Sequence, residues 1–306
     1  MTTPSEPVLV VEEENVAVNI ATVSRGRLVL RRFLRRRLAV VGLIVVVLLF
    51  FMAFVGIHFT RWNYTDLDPG FPYSPPSPRH WFGSDQLGKD LFANTMRGLQ
   101  KSLLIGLLGA LISTGVAAIL GAIAGYFGPV ADRSVVVLID LLLILPSFLI
   151  IAVMSALFQG ESWLIFVVVL AAFQWMLTAR VVRGLTQSLK EREFVAAARF
   201  MGVPGWKIIL RHIVPNMASF LIVDATINVA SLILAEVGLT FFGFGIRLPE
   251  VSLGTLIQQG IPNDTVFSWL FYFPAIILII LALAVNMAGD GLRDALDPNS
   301  EISGVK

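Results

Sequence analysis

Four polar side chains stand inside otherwise apolar stretches: Asp140, Asp224, Asn228 and Glu236, with Asn286 near the end of the last such stretch. Acids and amides in such surroundings bind cations, pass protons or bond one helix to another. A carboxylate at the centre of a bilayer costs about 2.5–3.5 kcal/mol. Each of these groups is therefore expected to face a cavity or a neighbouring helix. Three readings follow: a pathway lining, interhelical hydrogen bonds, or a proton relay. A relay needs several acids and histidines on one helical face. The histidines, His58, His80 and His212, all fall near predicted membrane interfaces.

Other chemistries lack residues to carry them. The chain has no cysteine, so it has no disulfide, thiolate ligand or thiol nucleophile. It has no Gly-x-x-x-x-Gly-Lys-Ser/Thr loop for nucleotide phosphates and no His-Glu-x-x-His metal motif. Phe242-Gly-Phe-Gly245 lies outside any strand–turn–helix unit and is no dinucleotide fingerprint. No catalytic residue, metal site or cofactor is expected in this chain, and any chemical energy must come from another one.

The elements that position these residues follow from composition. Hydrophobic residues make up 56% of the 306 and charged residues only 14%, which places the chain among membrane proteins. A crossing helix needs about 20 apolar residues. Six stretches qualify: Leu38–Ile57, Ser102–Ala124, Val135–Phe158, Trp163–Ala179, Met217–Phe242 and Trp269–Ala288, the fourth being the shortest. The expected fold is an all-α integral membrane protein with six transmembrane helices.

Lys and Arg set the orientation. Seven lie in the N-terminal tail, one at Arg133, seven between Arg180 and Arg211, and two at the C-terminus; the other segments hold six. Both termini and the Arg180–Pro215 segment are thus expected in the cytoplasm. Residues 1–37 read as a tail with an acidic run (Glu12, Glu13, Glu14) and a polybasic cluster from Arg25 to Arg37. The apolar run after it is too long for the core of a cleaved signal and has no cleavage site. Residues 38–290 form the six-span unit and 291–306 a cytoplasmic tail. The outer segment, about 59–100, is rich in Pro and turn residues and is not a long helix throughout. Gly121-Ala-Ile-Ala-Gly125 suggests close helix packing, and Pro146 and Pro274 suggest kinks.

The cytoplasmic segment 180–215 is a polar island between two spans. Glu191–Phe200 has good helix formers with acids first. Gly202 stands where a left-handed cap is needed, and Pro204 is placed to begin a second short helix, Gly205–Ile213. Ile208, Ile209 and Ile213 share one side of it, with Lys207 and Arg211 on another. Pro215 marks the turn into the fifth span. The segment reads either as a docking surface or as an amphipathic anchor in the interface.

Phe194-Val-Ala-Ala-Ala-Arg-Phe-Met-Gly202, followed by Ile213-Val-Pro215, resembles the EAA coupling loop of bacterial ATP-binding-cassette importer permeases. Ala196 stands where that pattern has glutamate. Three further stretches resemble the dipeptide/oligopeptide/nickel branch: Phe82-Gly-Ser-Asp-Gln-Leu-Gly-Lys-Asp90, Ala235–Gly245 with Ser252-Leu-Gly254, and Gly289–Pro298. The outer segment, about forty residues long, resembles the C-type rather than the B-type subunit. The resemblance implies a type I importer permease in a bacterial plasma membrane. It implies a B-type permease partner and two ATPase subunits, or a fused one, which bind ATP and magnesium. An extracellular or periplasmic solute-binding protein would deliver peptide, and no nucleic acid is involved. Coupling to the ATPase is expected of Glu193, Phe194, Ala197, Ala198, Arg199, Gly202 and Pro215. A nickel or other solute also suits this branch. A proton-coupled carrier and a subunit without transport of its own are the rival classes.

Overall fold

The computed structural model describes residues 25–157, 162–247 and 249–296. The acidic run at Glu12–Glu14, the expected end of the third span at Phe158 and the Asp297-Pro298 end of the C-terminal motif lie outside the described residues. In chain order the helices are α1 (Arg25–Arg35), α2 (Arg37–Phe54), α3 (Leu91–Tyr126), α4 (Pro129–Ile144), α5 (Ser147–Leu157), α6 (Trp163–Lys190), α7 (Glu193–Phe200), α8 (Gly205–Ile208), α9 (Val214–Asn216), α10 (Ala218–Phe241), α11 (Leu253–Gly260) and α12 (Trp269–Leu296). Five of them, α2, α3, α6, α10 and α12, are long and apolar enough to cross a bilayer. The pair α4–α5 makes a sixth crossing if its two pieces count as one.

Helix α3 is the mast of the bundle, and small residues let its neighbours approach. A Cβ on Gly121 would lie 2.6 Å from the Ala179 carbonyl of α6, and one on Gly125 would lie 2.7 Å from the Arg183 carbonyl. Gly106 and Gly109 bring Ile233 and Leu232 of α10 equally close. The small-xxx-small pattern thus packs α3 on α6, as the sequence suggests. On the other side of the bundle, Gly42 of α2 meets the Ala284 carbonyl of α12 in the same way. The basic cluster is helical: Phe33 of α1 is buried beside Ala39 and Ala295, and Arg36 pairs with Asp294 at 3.3 Å.

The two prolines behave differently. Pro146 does more than kink the third span, because α4 and α5 meet at 80°. Leu145 is forced into the extended region before proline (φ −75, ψ 133), and the Pro146 carbonyl restarts the ladder by accepting from Leu149 and Ile150. Pro274 lies inside α12, which is continuous through it. The fourth span, shortest in the sequence, extends as α6 to Lys190 because its arginines find partners. Arg183 forks onto both oxygens of Asp132, with one contact at 2.7 Å, and Arg180 pairs with Asp140.

Helix α3 starts at Leu91, within the stretch assigned to the outer segment. Asp90 caps it by accepting from the Ala93 N–H at 2.8 Å. The same carboxylate lies 2.9 Å from Nδ1 of His80, and Asp68 lies 3.3 Å from Nε2. His80 is fully buried under Trp62, and Arg79 holds Asp68 at 2.7 Å. This clamp folds the Pro-rich segment onto the helix. It depends on Gly88, whose φ is +78 and whose Cβ would lie 2.1 Å from the Asp68 carbonyl.

Gly88→Ala is therefore expected to lift Asp68 off His80 and destabilise the protein by about 1–3 kcal/mol. Thermal unfolding of detergent-purified wild type and variant measures this, and coincident midpoints would contradict the clamp.

Candidate functional site

The polar segment between α6 and α10 is built as two short helices around one glycine. Helix α7 ends in a two-bond cap: the Gly202 N–H donates to the Arg199 carbonyl and the Val203 N–H to that of Ala198, at 3.0 and 3.1 Å. Gly202 takes φ +75, as the sequence predicts for that position. Pro204 then opens α8. From here the structure departs from the expectation. The second helix does not stop at Ile213 and turn at Pro215. It passes through a π turn, Ile209–Ile213, into α9, and the turn into α10 comes at Met217 (φ −103, ψ 12), two residues beyond Pro215. Pro215 has no N–H for the Arg211 carbonyl, and the wider turn, closed by the Val214 N–H on the Ile209 carbonyl, accommodates its ring.

The segment is seated on the bundle. Val195 and Ala198 of α7 are buried with Ile208, Ile209 and Ile213 against Ala122 and Tyr126 of α3 and Val182 of α6. Gly205 lets the chain approach the Tyr126 ring, and Lys190 donates to the Tyr126 carbonyl at 2.7 Å. Ala198, expected as a contact for a partner, is thus turned inward (1% exposed) and spaces α7 from its own bundle. Glu193, Phe194, Ala197 and Arg199 point outward, and Ala196 is half-buried.

The sequence reading missed the most exposed apolar groups of this loop. Phe200 is 94% exposed, Met201 75% and Trp206 61%, and they flank the turn at Gly202. The available signal was three large apolar residues around a Gly-x-Pro turn that cannot itself be core. Such an apolar tip, rimmed by Arg199 and Lys207, is a surface left uncovered by the described residues.

The acids inside the bundle divide three ways. Asp140 is half-exposed and ion-paired with Arg180. Glu236 is fully enclosed: Ser252 donates to it at 2.7 Å, Thr240 at 2.9 Å and Ser102 at 3.4 Å. Ser252 is the N-cap of α11, so this carboxylate pins α11 to α3 and α10. Gly245 and Gly254 allow the fit, since a Cβ on either would collide with Thr240. Glu236 thus bonds helices together and lines no pathway in this conformation. Asp224 accepts from Thr114 of α3 and Thr178 of α6, both at 2.8 Å, and from Asn228 at 2.9 Å. Asp224 and Asn228 border a cavity of about 410 Å³ at the α4–α5 break. Asn286 is exposed on α12. Among the described residues no group of His, Cys, Asp and Glu is arranged to hold a metal ion.

Residues 117–301 match the family described as binding-protein-dependent transport system inner membrane component. The chain belongs to this family. Residues 24–76 also match the N-terminal TM domain of oligopeptide transport permease C. Among similar proteins, the oligopeptide transport system permease protein OppC of Mycobacterium tuberculosis (strain ATCC 25618 / H37Rv) is 52% identical over 278 residues, 90% of this chain and 96% of the relative. The OppC proteins of Haemophilus influenzae and Bacillus subtilis are 39% and 35% identical, over 88% and 87% of this chain and 86% and 87% of theirs. This permease is a multi-pass membrane protein, and its family match spans α4 to α12 with the seated loop and both α10 acids.

Removing the Glu236 acceptor should free α11. Glu236→Ala leaves buried hydroxyls unpaired and is expected to cost about 2 kcal/mol or more, with Glu236→Gln costing less. Protease cleavage within residues 242–263 reports it. Equal resistance of the alanine variant and wild type would mean that α11 is held by packing alone.

Proposed function

We propose that this permease is one of two membrane subunits of an ATP-driven peptide importer. Its cytoplasmic loop docks on an ATPase subunit, and a solute-binding protein delivers peptide on the opposite side. The loop lies in the cytoplasm with both termini, in keeping with the excess of Lys and Arg on that side. Partner ATPases bind ATP and magnesium. What this chain contributes is a lever and part of a pathway.

The observation that carries this reading is the loop's construction: an apolar tip facing outward and a rigid base. Phe194, Phe200, Met201 and Trp206 suit a groove on a partner, with Arg199 placed to meet an acid there. Closure of two ATPases around nucleotide would move two such tips together. The motion has a direct route inward, because Ile208, Ile209 and Ile213 are buried between α7 and the bundle. The α8–α9 stretch leads through the π turn to α10, the helix that carries Asp224 and Glu236. Nucleotide would thereby bias a two-state equilibrium between inward-open and outward-open arrangements.

Two variants separate docking from transmission. Phe200→Asp places a charge in the tip and is expected to lower co-purification of the ATPase about tenfold, the scale of a central interface residue. Gly202→Val forces a β-branched residue to positive φ and should deform the cap at a cost of about 1–3 kcal/mol. Import by proteoliposomes of the assembled transporter should fall at least fivefold (a rough figure on the same scale) while ATP is still hydrolysed. Peptide import by Gly202→Val at the wild-type rate would falsify the lever.

A further inference from the structure

The cavity at the broken third span holds a carboxylate whose surroundings are almost, but not entirely, closed. Asp224 Oδ2 receives Thr114 Oγ1 and Asn228 Nδ2, and Oδ1 receives Thr178 Oγ1. Gln174 donates to Asn228 Oδ1 at 3.0 Å, which turns the Asn228 amino group toward the acid. All these donors are neutral. A carboxylate accepts about four hydrogen bonds, so Oδ1 keeps room for one more donor.

The arginines nearby cannot supply it. Arg180 and Arg183 follow Thr178 on α6, but the first is committed to Asp140 and the second to Asp132. Among the described residues no Lys, Arg or His pairs with Asp224. Glu236 on the same helix makes the contrast: it is fully buried among three hydroxyl donors, whereas Asp224 is half-buried and edges the space opened by the break between Leu145 and Ser147. A divalent cation needs several charged or carbonyl oxygens, and one carboxylate does not provide them. A single compact monovalent cation with N–H donors does fit.

We propose that Asp224 is a cation subsite in the translocation pathway, receiving a primary ammonium group of the cargo during passage. The inference rests on the peptide-importer reading above and adds to it the group that is recognised. The ammonium would reach Oδ1 across the cavity, with Phe173 and Leu142 forming apolar walls beside it. The hydroxyls and the Asn228 amide hold the carboxylate in place between passages, so the site is ready before cargo arrives. Two peptide groups share this chemistry, the N-terminal α-ammonium and a lysine side chain.

The test uses the complete transporter, with its partner permease, ATPases and binding protein, in proteoliposomes. Initial uptake of labelled trialanine and of N-acetyl-Ala-Lys-Ala-amide is compared for wild type, Asp224→Asn and Asp224→Glu, each checked for assembly by co-purification. Asp224→Asn is expected to slow trialanine uptake at least tenfold, about the effect of one hydrogen bond to a charged group. Asp224→Glu, which keeps the charge, should recover most of the rate. Asparagine also loses an acceptor for Thr114, Thr178 or Asn228, so the thermal midpoint of each assembled variant is read beside uptake, and a merely structural role predicts that uptake falls only in step with the midpoint. Loss confined to trialanine identifies the α-ammonium as the group read; loss for both peptides shows that either ammonium is accepted. If wild type does not carry the acetylated peptide, the order of the two variants on trialanine decides. Equal uptake by assembled Asp224→Asn and wild type overturns the subsite and leaves the importer reading intact. A wild-type transporter that imports neither peptide overturns the importer reading itself.

Discussion

Close approach of α3 to two neighbours is the constraint on which the other features depend. Gly121 and Gly125 bring its backbone against carbonyls of α6, and Gly106 and Gly109 bring it against α10. Only at that spacing can one acid on α10 accept from a threonine on α3 and from another on α6. The same contact sets Tyr126, at the end of α3, where α7 and α8 rest on it. A side chain at either Gly121 or Gly125 would displace the polar network and the loop seat together, although they lie on different levels of the bundle.

Helix α10 joins the two ends of the molecule. Its first turn follows the polar loop through the π turn and the bend at Met217, and its last turns hold α11 by way of Glu236. Asp224 lies between, seven residues into the helix and roughly 9 Å along it. A rotation of α10 driven from the loop changes what Asp224 faces and what α11 covers in one movement. The π turn suits this position, because one extra residue in the turn is a place where helical phase is readily altered.

Much of this was legible in the sequence, for identifiable reasons. The apolar stretches announce the crossings. Gly202 and Pro204 announce a cap and a new start, since their backbone preferences are local. What failed depended on phase or on distance along the chain. Ala197 and Ala198 are the same residue type, yet one step of about 100° decides which of them meets Tyr126. Phe200 reads as core in any hydropathy profile and is nearly bare. His80 lies twelve residues from Asp68 and ten from Asp90, in no pattern that predicts a clamp. Pro146 and Pro274 look alike in sequence, but only the first sits where the chain gives up its helix. The two α10 acids could not be told apart either, because cavity and enclosure are properties of the assembled helices.

The bend at Pro146 also bears on how the chain enters the membrane. Helix α4, with 16 residues, is too short to cross alone and turns by 80° into α5. The unpaired backbone groups at their junction are tolerated at membrane depth only beside protein or water. If the two pieces count as one crossing, lipid alone does not complete it. Ile144, Leu145 and Phe148 stay exposed at the junction beside α6 and α10, so shielding it falls to a surface outside these helices, which ties this crossing to assembly rather than to insertion alone.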